Sequence, residues 1–219
     1  MTDWADIART RQGLYRFLGG ALLSPSAEMF DVLAQAIGVL EQRDIDMFAF
    51  SRDLRRLGRH FPADVAGDRL DVDYIRLFAS GRSGALSPPT ESYYRVPAKG
   101  GGIAEFVAEM QREYRSMGIG SVGLDEAPDH ISTELEVMAY LCDLEAGAWM
   151  DEQTRLAGEV LDLEIRFLRR HLAGWVPLLQ ERVHAAQPTA FYRDLVDTVH
   201  SFVVHDKDYV RLIRDGIAE

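Results

Sequence analysis

Along most of this chain apolar residues recur every three to four positions, the period of a helix with one buried face. Over about 3–22, Ile7, Leu14, Phe17, Leu18, Ala21 and Leu22 form one stripe, and Ser24-Pro25 ends it. A second helix is predicted after Ser26, with Met29, Phe30, Leu33, Ile37 and Leu40 facing inward. A third follows Asp44 through Phe48, Phe50, Leu54 and Leu57 to about His60, where Pro62 breaks the run. A short helix then covers roughly 68–79, around LDVDYIRLFAS.

The stretch 80–102 keeps no period and is dominated by Gly, Ser and Pro, so it reads as a long loop; loops of that length are usually functional or mobile. Helix resumes over about 103–117 with Ile103, Phe106, Val107, Met110 and Tyr114, and stops at 118–123. Pro128 suits the first position of the next helix, and Asp129 suits its cap. From Ile131 onward, Leu135, Met138 and Leu141 predict one buried face, with Asp129 and His130 exposed at the loop–helix junction. Further helices are predicted over about 151–172, 174–185 and 188–205. There is no strand run and no fixed-period repeat. The pattern predicts an all-α, bundle-like single globular domain over 1–219, with about eight to ten helices. Its interruptions are the 80–102 loop and a hinge loop at 118–129.

Composition narrows the partners. Of 219 residues, 35 are acidic and 24 are Lys or Arg, a formal charge of −11. That charge argues against nucleic acid or an anionic membrane and favours a basic peptide. No apolar run reaches membrane-spanning length, and MTDWADIARTRQGLYRFLGG lacks the apolar core of a signal peptide, so a cytoplasmic protein is expected. The single cysteine, Cys142, sits on an apolar helix and is expected to be an inert buried thiol.

Catalytic and metal chemistry find little support. His130 and Glu134 are four apart and can share a helix face, but no third ligand stands at a recognisable spacing. His200 and His205, five apart, point in different directions. There is no GxSxG elbow, and Glu134 and Glu136 are too close along one helix to face each other as an acid/base pair. No catalytic residue, metal site or cofactor is therefore expected. Lys99 with Gly100–Gly102 precedes a helix and can approach an anion, but the P-loop spacing GxxxxGK[ST] is missing. Peptide binding is better served. Tyr74, Leu77 and Phe78 stand at i, i+3, i+4, close to Pro88-Pro89 and Tyr93-Tyr94, and can line a groove. The acids Asp71, Asp73, Glu91, Asp125, Glu126 and Asp129 can attract basic residues flanking an apolar segment.

Together, DYIRLFASGRSGALSPPTESYYR, APDHISTELEVM and HLAGWVPLL resemble the TorD/DmsD/NarJ family of molybdoenzyme maturation chaperones. The matching positions are Asp73, Tyr74, Arg76, Leu77 and Phe78; then Pro88, Pro89, Glu91, Ser92 and Tyr94; then Pro128, Asp129, His130, Glu134, Leu135, Glu136 and Met138. The resemblance spans most of 70–180. Two departures stand out: Ala79-Ser80-Gly81 where the family often continues Gly-Pro, and Ala127 between Glu126 and the Pro of the turn.

The resemblance implies a cytoplasmic, non-catalytic chaperone that binds the twin-arginine signal peptide and the immature catalytic subunit of a molybdopterin oxidoreductase, delaying export until the cofactor is loaded. Tyr74, Leu77, Phe78, Pro88, Pro89, Glu91, Ser92 and Tyr94 would form the peptide site, with Asp129 and His130 as polar anchors. Arg76, Pro128 and Glu134 would order the surrounding structure. One rival stays in the family, a NarJ-like assembly factor for an enzyme that is never exported. Another is a nucleotide-binding helical protein using Lys99 and Gly100–Gly102; weak GTP binding is suggested for some relatives. A monomer is the default, and the Gly-rich segments also permit a domain-swapped dimer. Were His130 a charged anchor, peptide affinity would change near pH ~6.5, and His130→Ala would remove that change.

Overall fold

The computed structural model describes residues 3–41, 50–61, 69–79, 84–96, 102–120 and 126–217. Ten helices occur among them: α1 (Trp4–Ala21), α2 (Ala27–Glu41), α3 (Ser51–Gly58), α4 (Arg69–Leu77), α5 (Glu91–Arg95), α6 (Ile103–Ser116), α7 (Ile131–Met150), α8 (Thr154–Arg170), α9 (Leu172–Ala185) and α10 (Ala190–Gly216). The all-α expectation holds: the one β-type pairing among the described residues is an isolated antiparallel bridge between Thr90 and His130. None of these helices is long and apolar enough to cross a membrane.

Two boundaries differ from the sequence reading. A short helix, α5, forms inside the predicted loop, and α10 continues to Gly216 instead of ending near 205. The apolar stripe of α10 continues through Val203, Val210 and Ile213, but it is interrupted by Asp206, a charged residue on the buried face. Most of the hydrophobic stretch expected to open the third helix lies at 42–49, outside the described residues. Gly102 takes a φ of 111° at the N-cap of α6, a left-handed conformation that favours glycine. Lys99, Gly100 and Gly101 lie outside the described residues.

The helix expected to bury one face, α7, buries a broad one. Leu135, Val137, Met138, Ala139, Leu141 and Cys142 are all buried, while Glu136, Asp143, Leu144 and Met150 stay exposed along the opposite side. It packs along α1 and α8, while α10 packs on α3, α8 and α9. Where α1, α7, α8 and α10 meet, burial extends to charge. Arg11 Nε donates to Asp206 Oδ1 at 2.7 Å, Nη1 to Glu145 Oε2 at 2.5 Å, and Nη2 to Glu164. Tyr15 donates its hydroxyl to Asp206 Oδ2 at 2.6 Å, and Trp149 Nε1 donates to Glu145 Oε1 at 2.9 Å. One guanidinium thus serves three buried carboxylates, and burial holds the pKa values of Glu145 and Glu164 above the usual carboxylate range. Cys142 Sγ lies within 4.8 Å of carboxylate oxygens of Glu145 and Glu164. Arg11 already supplies the cation there, and burial raises the pKa of the Cys142 thiol, so the sulfur stays protonated.

Removing one partner of a buried charge network leaves the others uncompensated. Arg11→Met is therefore expected to lower unfolding stability by about 3–5 kcal/mol in urea titrations. A loss below about 1 kcal/mol would contradict a structural role for the cluster.

Candidate functional site

Three stretches that are far apart in sequence meet at the head of α7. Beside the Thr90–His130 bridge, Glu91 N–H donates to Asp129 O at 2.8 Å, and Ile131 N–H donates to Pro89 O at 2.9 Å. From the other side, Ser87 N–H donates to Leu77 O at 2.7 Å and Leu86 N–H to Arg76 O at 3.2 Å. These backbone bonds pin 84–96 between the end of α4 and the start of α7, so the three motif segments become neighbours.

With five residues, α5 is too short to persist unaided. Its N-cap, Thr90, makes no side-chain cap bond, and Asp129 Oδ2 instead accepts from Ser92 N–H at 3.3 Å across the bridge. Glu91 is completely buried, with one oxygen accepting from Arg95 and the other 2.7 Å from His171 Nδ1. The other ring nitrogen of His171 lies 3.3 Å from Glu113 Oε2 on α6. Tyr94 stacks on Trp175 with ring centroids 5.4 Å apart, and Trp175 Nε1 donates to Glu134 Oε2 at 3.0 Å. Burial, with Glu91 adding its charge, pushes the pKa of Glu134 well above the carboxylate range.

Burial corrects several expected roles. Asp129 and His130 are 3% and 6% exposed, not open anchors. The α7 helix begins at Ile131, three residues beyond Pro128; His130 is its N-cap and accepts from Ser132 N–H through Nδ1 at 3.2 Å. Burial depresses the pKa of His130, so the ring is neutral near pH 7 and no charge-driven change in affinity is expected at its ordinary pKa. Asp129 caps α5 instead of α7. Leu77, Phe78, Pro89, Glu91 and Ser92 are buried as well, so they build the wall from behind instead of facing a ligand. Asp73 is spent internally: it takes Arg76 Nε at 2.9 Å and the Thr189 N–H at 2.7 Å. Arg76 also donates to the carbonyls of Ala186 and Gln187, tying α4 to the turn before α10. Asp125 lies outside the described residues.

Tyr74, Pro88 and Tyr94 are partly buried, with Asp71 and Glu126 exposed. The charge of Glu126 reaches both Tyr74 and His130. It also lines a cavity of about 560 Å³ with Tyr114, Arg115, Ile119 and Pro128, and Tyr114 fixes the rim by donating to Pro128 O at 2.7 Å. A larger cavity, about 660 Å³, opens between α3 and α10 beside Arg52, Arg56, Val204 and Leu212, and no motif residue lines it.

Residues 46–181 match the nitrate reductase delta subunit family. The chlorate reductase assembly chaperone protein of Ideonella dechloratans is 31% identical over 160 residues, 71% of this chain and 80% of that protein. The perchlorate reductase assembly chaperone protein of Dechloromonas aromatica (strain RCB) is 28% identical over 60% of this chain and 58% of its own length. The selenate reductase assembly chaperone protein of Thauera selenatis is 33% identical over 64% of this chain and 69% of its own. A crystal structure of a candidate redox enzyme maturation protein from Archaeoglobus fulgidus aligns with 68% of this chain and 83% of that one, at 22% identity and a TM-score of 0.42.

If Asp129 caps α5, Asp129→Ala is expected to cost about 1 kcal/mol in urea unfolding, with Asp129→Asn largely preserving stability. Equal losses for the two variants would remove the capping role.

Proposed function

The chain belongs to the nitrate reductase delta subunit family, and on that premise we propose that it serves, in the cytoplasm, the molybdopterin-containing catalytic subunit of an oxyanion reductase. It is an assembly chaperone and not an enzyme, as its relatives are. In this reading it holds the client's twin-arginine signal peptide, and with it the immature subunit, and delays export until the cofactor is in place. The convergence of the three motif segments at the Thr90–His130 bridge carries the reading. What that convergence leaves open suits such a peptide: aromatic and proline surface at Tyr74, Pro88 and Tyr94, a cavity able to take apolar side chains, and the acids Asp71 and Glu126 beside it. The apolar stretch of the peptide seats on the ring surface, and its paired guanidinium groups face the acids. The preference for an oxyanion reductase rests on the chlorate, perchlorate and selenate reductases named for the relatives.

Calorimetric titration with the twin-arginine peptide of such a subunit tests this. Affinity is expected to fall as salt rises, because the guide charges are exposed. Tyr74→Ala is expected to weaken binding about tenfold, and Glu126→Gln about three- to fivefold at low salt, with a flatter salt dependence. Binding to the mature subunit but not to the peptide would replace this reading with assembly of a client that is not exported.

A further inference from the structure

We infer that His171, in its doubly protonated form, is the positioning residue of the peptide site, fixing α5 and α6 through Glu91 and Glu113. The inference rests on the peptide-binding reading for its functional consequence, but the contact itself is independent of it. His171 stands at the junction of α8 and α9, 2% exposed, with a carboxylate at each ring nitrogen: Glu91 Oε2 at 2.7 Å and Glu113 Oε2 at 3.3 Å. Two ionised carboxylates offer only acceptors, and a neutral imidazole carries a single N–H. Both contacts are hydrogen bonds only when both nitrogens are protonated.

Other charges bear on the same point from each packed element. On α5, Arg95 binds the second oxygen of Glu91 and the carbonyl of Arg170. On α8, Arg170 Nη1 lies 3.4 Å from Glu113 Oε2 and Nη2 donates to Glu109 on α6, while the Phe167 ring packs 4.8 Å from the imidazole. Arg166 also acts on Glu113, and Glu134 of α7 lies within reach of the charge of Glu91. Because Arg95 is partly exposed and Glu91 is not, losing the imidazolium strips Glu91 of its buried counter-charge. Glu91 begins α5, and α5 carries Tyr94 to its place on Trp175.

The two carboxylates raise the pKa of His171 above 6.5 against the opposing effect of burial. For a histidine with a raised folded-state pKa, the stabilisation is fully present below the unfolded value of about 6.5 and is lost as pH rises through the folded value. His130 shifts the opposite way, so of these two site histidines only His171 loses its proton on the alkaline side.

The test follows the Trp175 indole N–H by NMR between pH 6 and 9 in the full chain, alongside titration of the twin-arginine peptide at the same pH values. The indole resonance is expected to titrate with the His171 ring, and peptide affinity to fall about tenfold across that step. Glu113→Gln removes one of the two negative charges and is expected to move both profiles to lower pH while the chain stays folded. His171→Gln is expected to bind weakly at all pH values without the step. A Trp175 resonance that does not move with the His171 titration, or profiles unchanged in Glu113→Gln, overturns the inference. Absence of peptide binding at every pH, with the Trp175 step intact, overturns the peptide reading and leaves the positioning of α5 and α6 by His171 standing.

Discussion

A buried carboxylate on a helix of five residues organises this face of the molecule. Glu91 has no access to water, so both of its oxygens require protein partners, and it finds them in Arg95 on its own helix and His171 from the α8–α9 junction. That requirement fixes the position of α5. With α5 placed, the bridge to His130, the cap from Asp129 and the ring stack on Trp175 all fall into register. A stretch of mostly Gly, Ser and Pro has no apolar stripe with which to hold itself, and here buried charge does that work.

The molecule uses the same device twice. Deep between α1, α7, α8 and α10, Arg11 answers Asp206, Glu145 and Glu164, and this cluster knits the helices whose apolar surfaces make the core. Nearer the surface, His171 answers Glu91 and Glu113. Replacing Arg11 by an apolar residue would leave three buried carboxylates without a counter-charge, and replacing His171 would leave buried Glu91 only the partly exposed Arg95. The first cluster sets the body of the fold, and the second sets the place of α5 against α6 and the α8–α9 junction.

How much of this was legible in the sequence follows from what each feature depends on. The helices α1, α2, α6, α8 and α9 declare themselves by apolar spacing, because enough hydrophobic residues line their inner faces to hold the period, even with Arg11 buried on α1 and Glu164 on α8. The far half of α10 is harder to read, since Asp206 sits on its inward stripe and takes its partner from Arg11, 195 positions away. The motif residues were visible as a set, and the structure brings them together. Their individual roles were not visible: Glu91 resembles a solvated acid until His171, 80 residues further on, is placed against it. Asp129 looks like a cap for the helix that follows it, and the bridge turns it toward α5 instead. His171 begins the HLAGWVPLL stretch that supports the family resemblance, yet Arg169-Arg170 before it and Leu172-Ala173 after it give no sign of two carboxylates. Long-range contacts, a charge pair for Glu91 and His171 and a backbone bridge for Asp129, were the missing information.

In the function proposed above, a twin-arginine peptide lies on the face bounded by Tyr74, Pro88, Tyr94 and Glu126. Backbone amide shifts in the full chain, recorded with and without saturating peptide, test it most directly. Bound peptide is expected to shift resonances at 74–79, 86–96, 114–119 and 126–130, with little change along α3 and the far half of α10. Shifts clustering instead around the cavity between α3 and α10, with the α5 face unmoved, would contradict it.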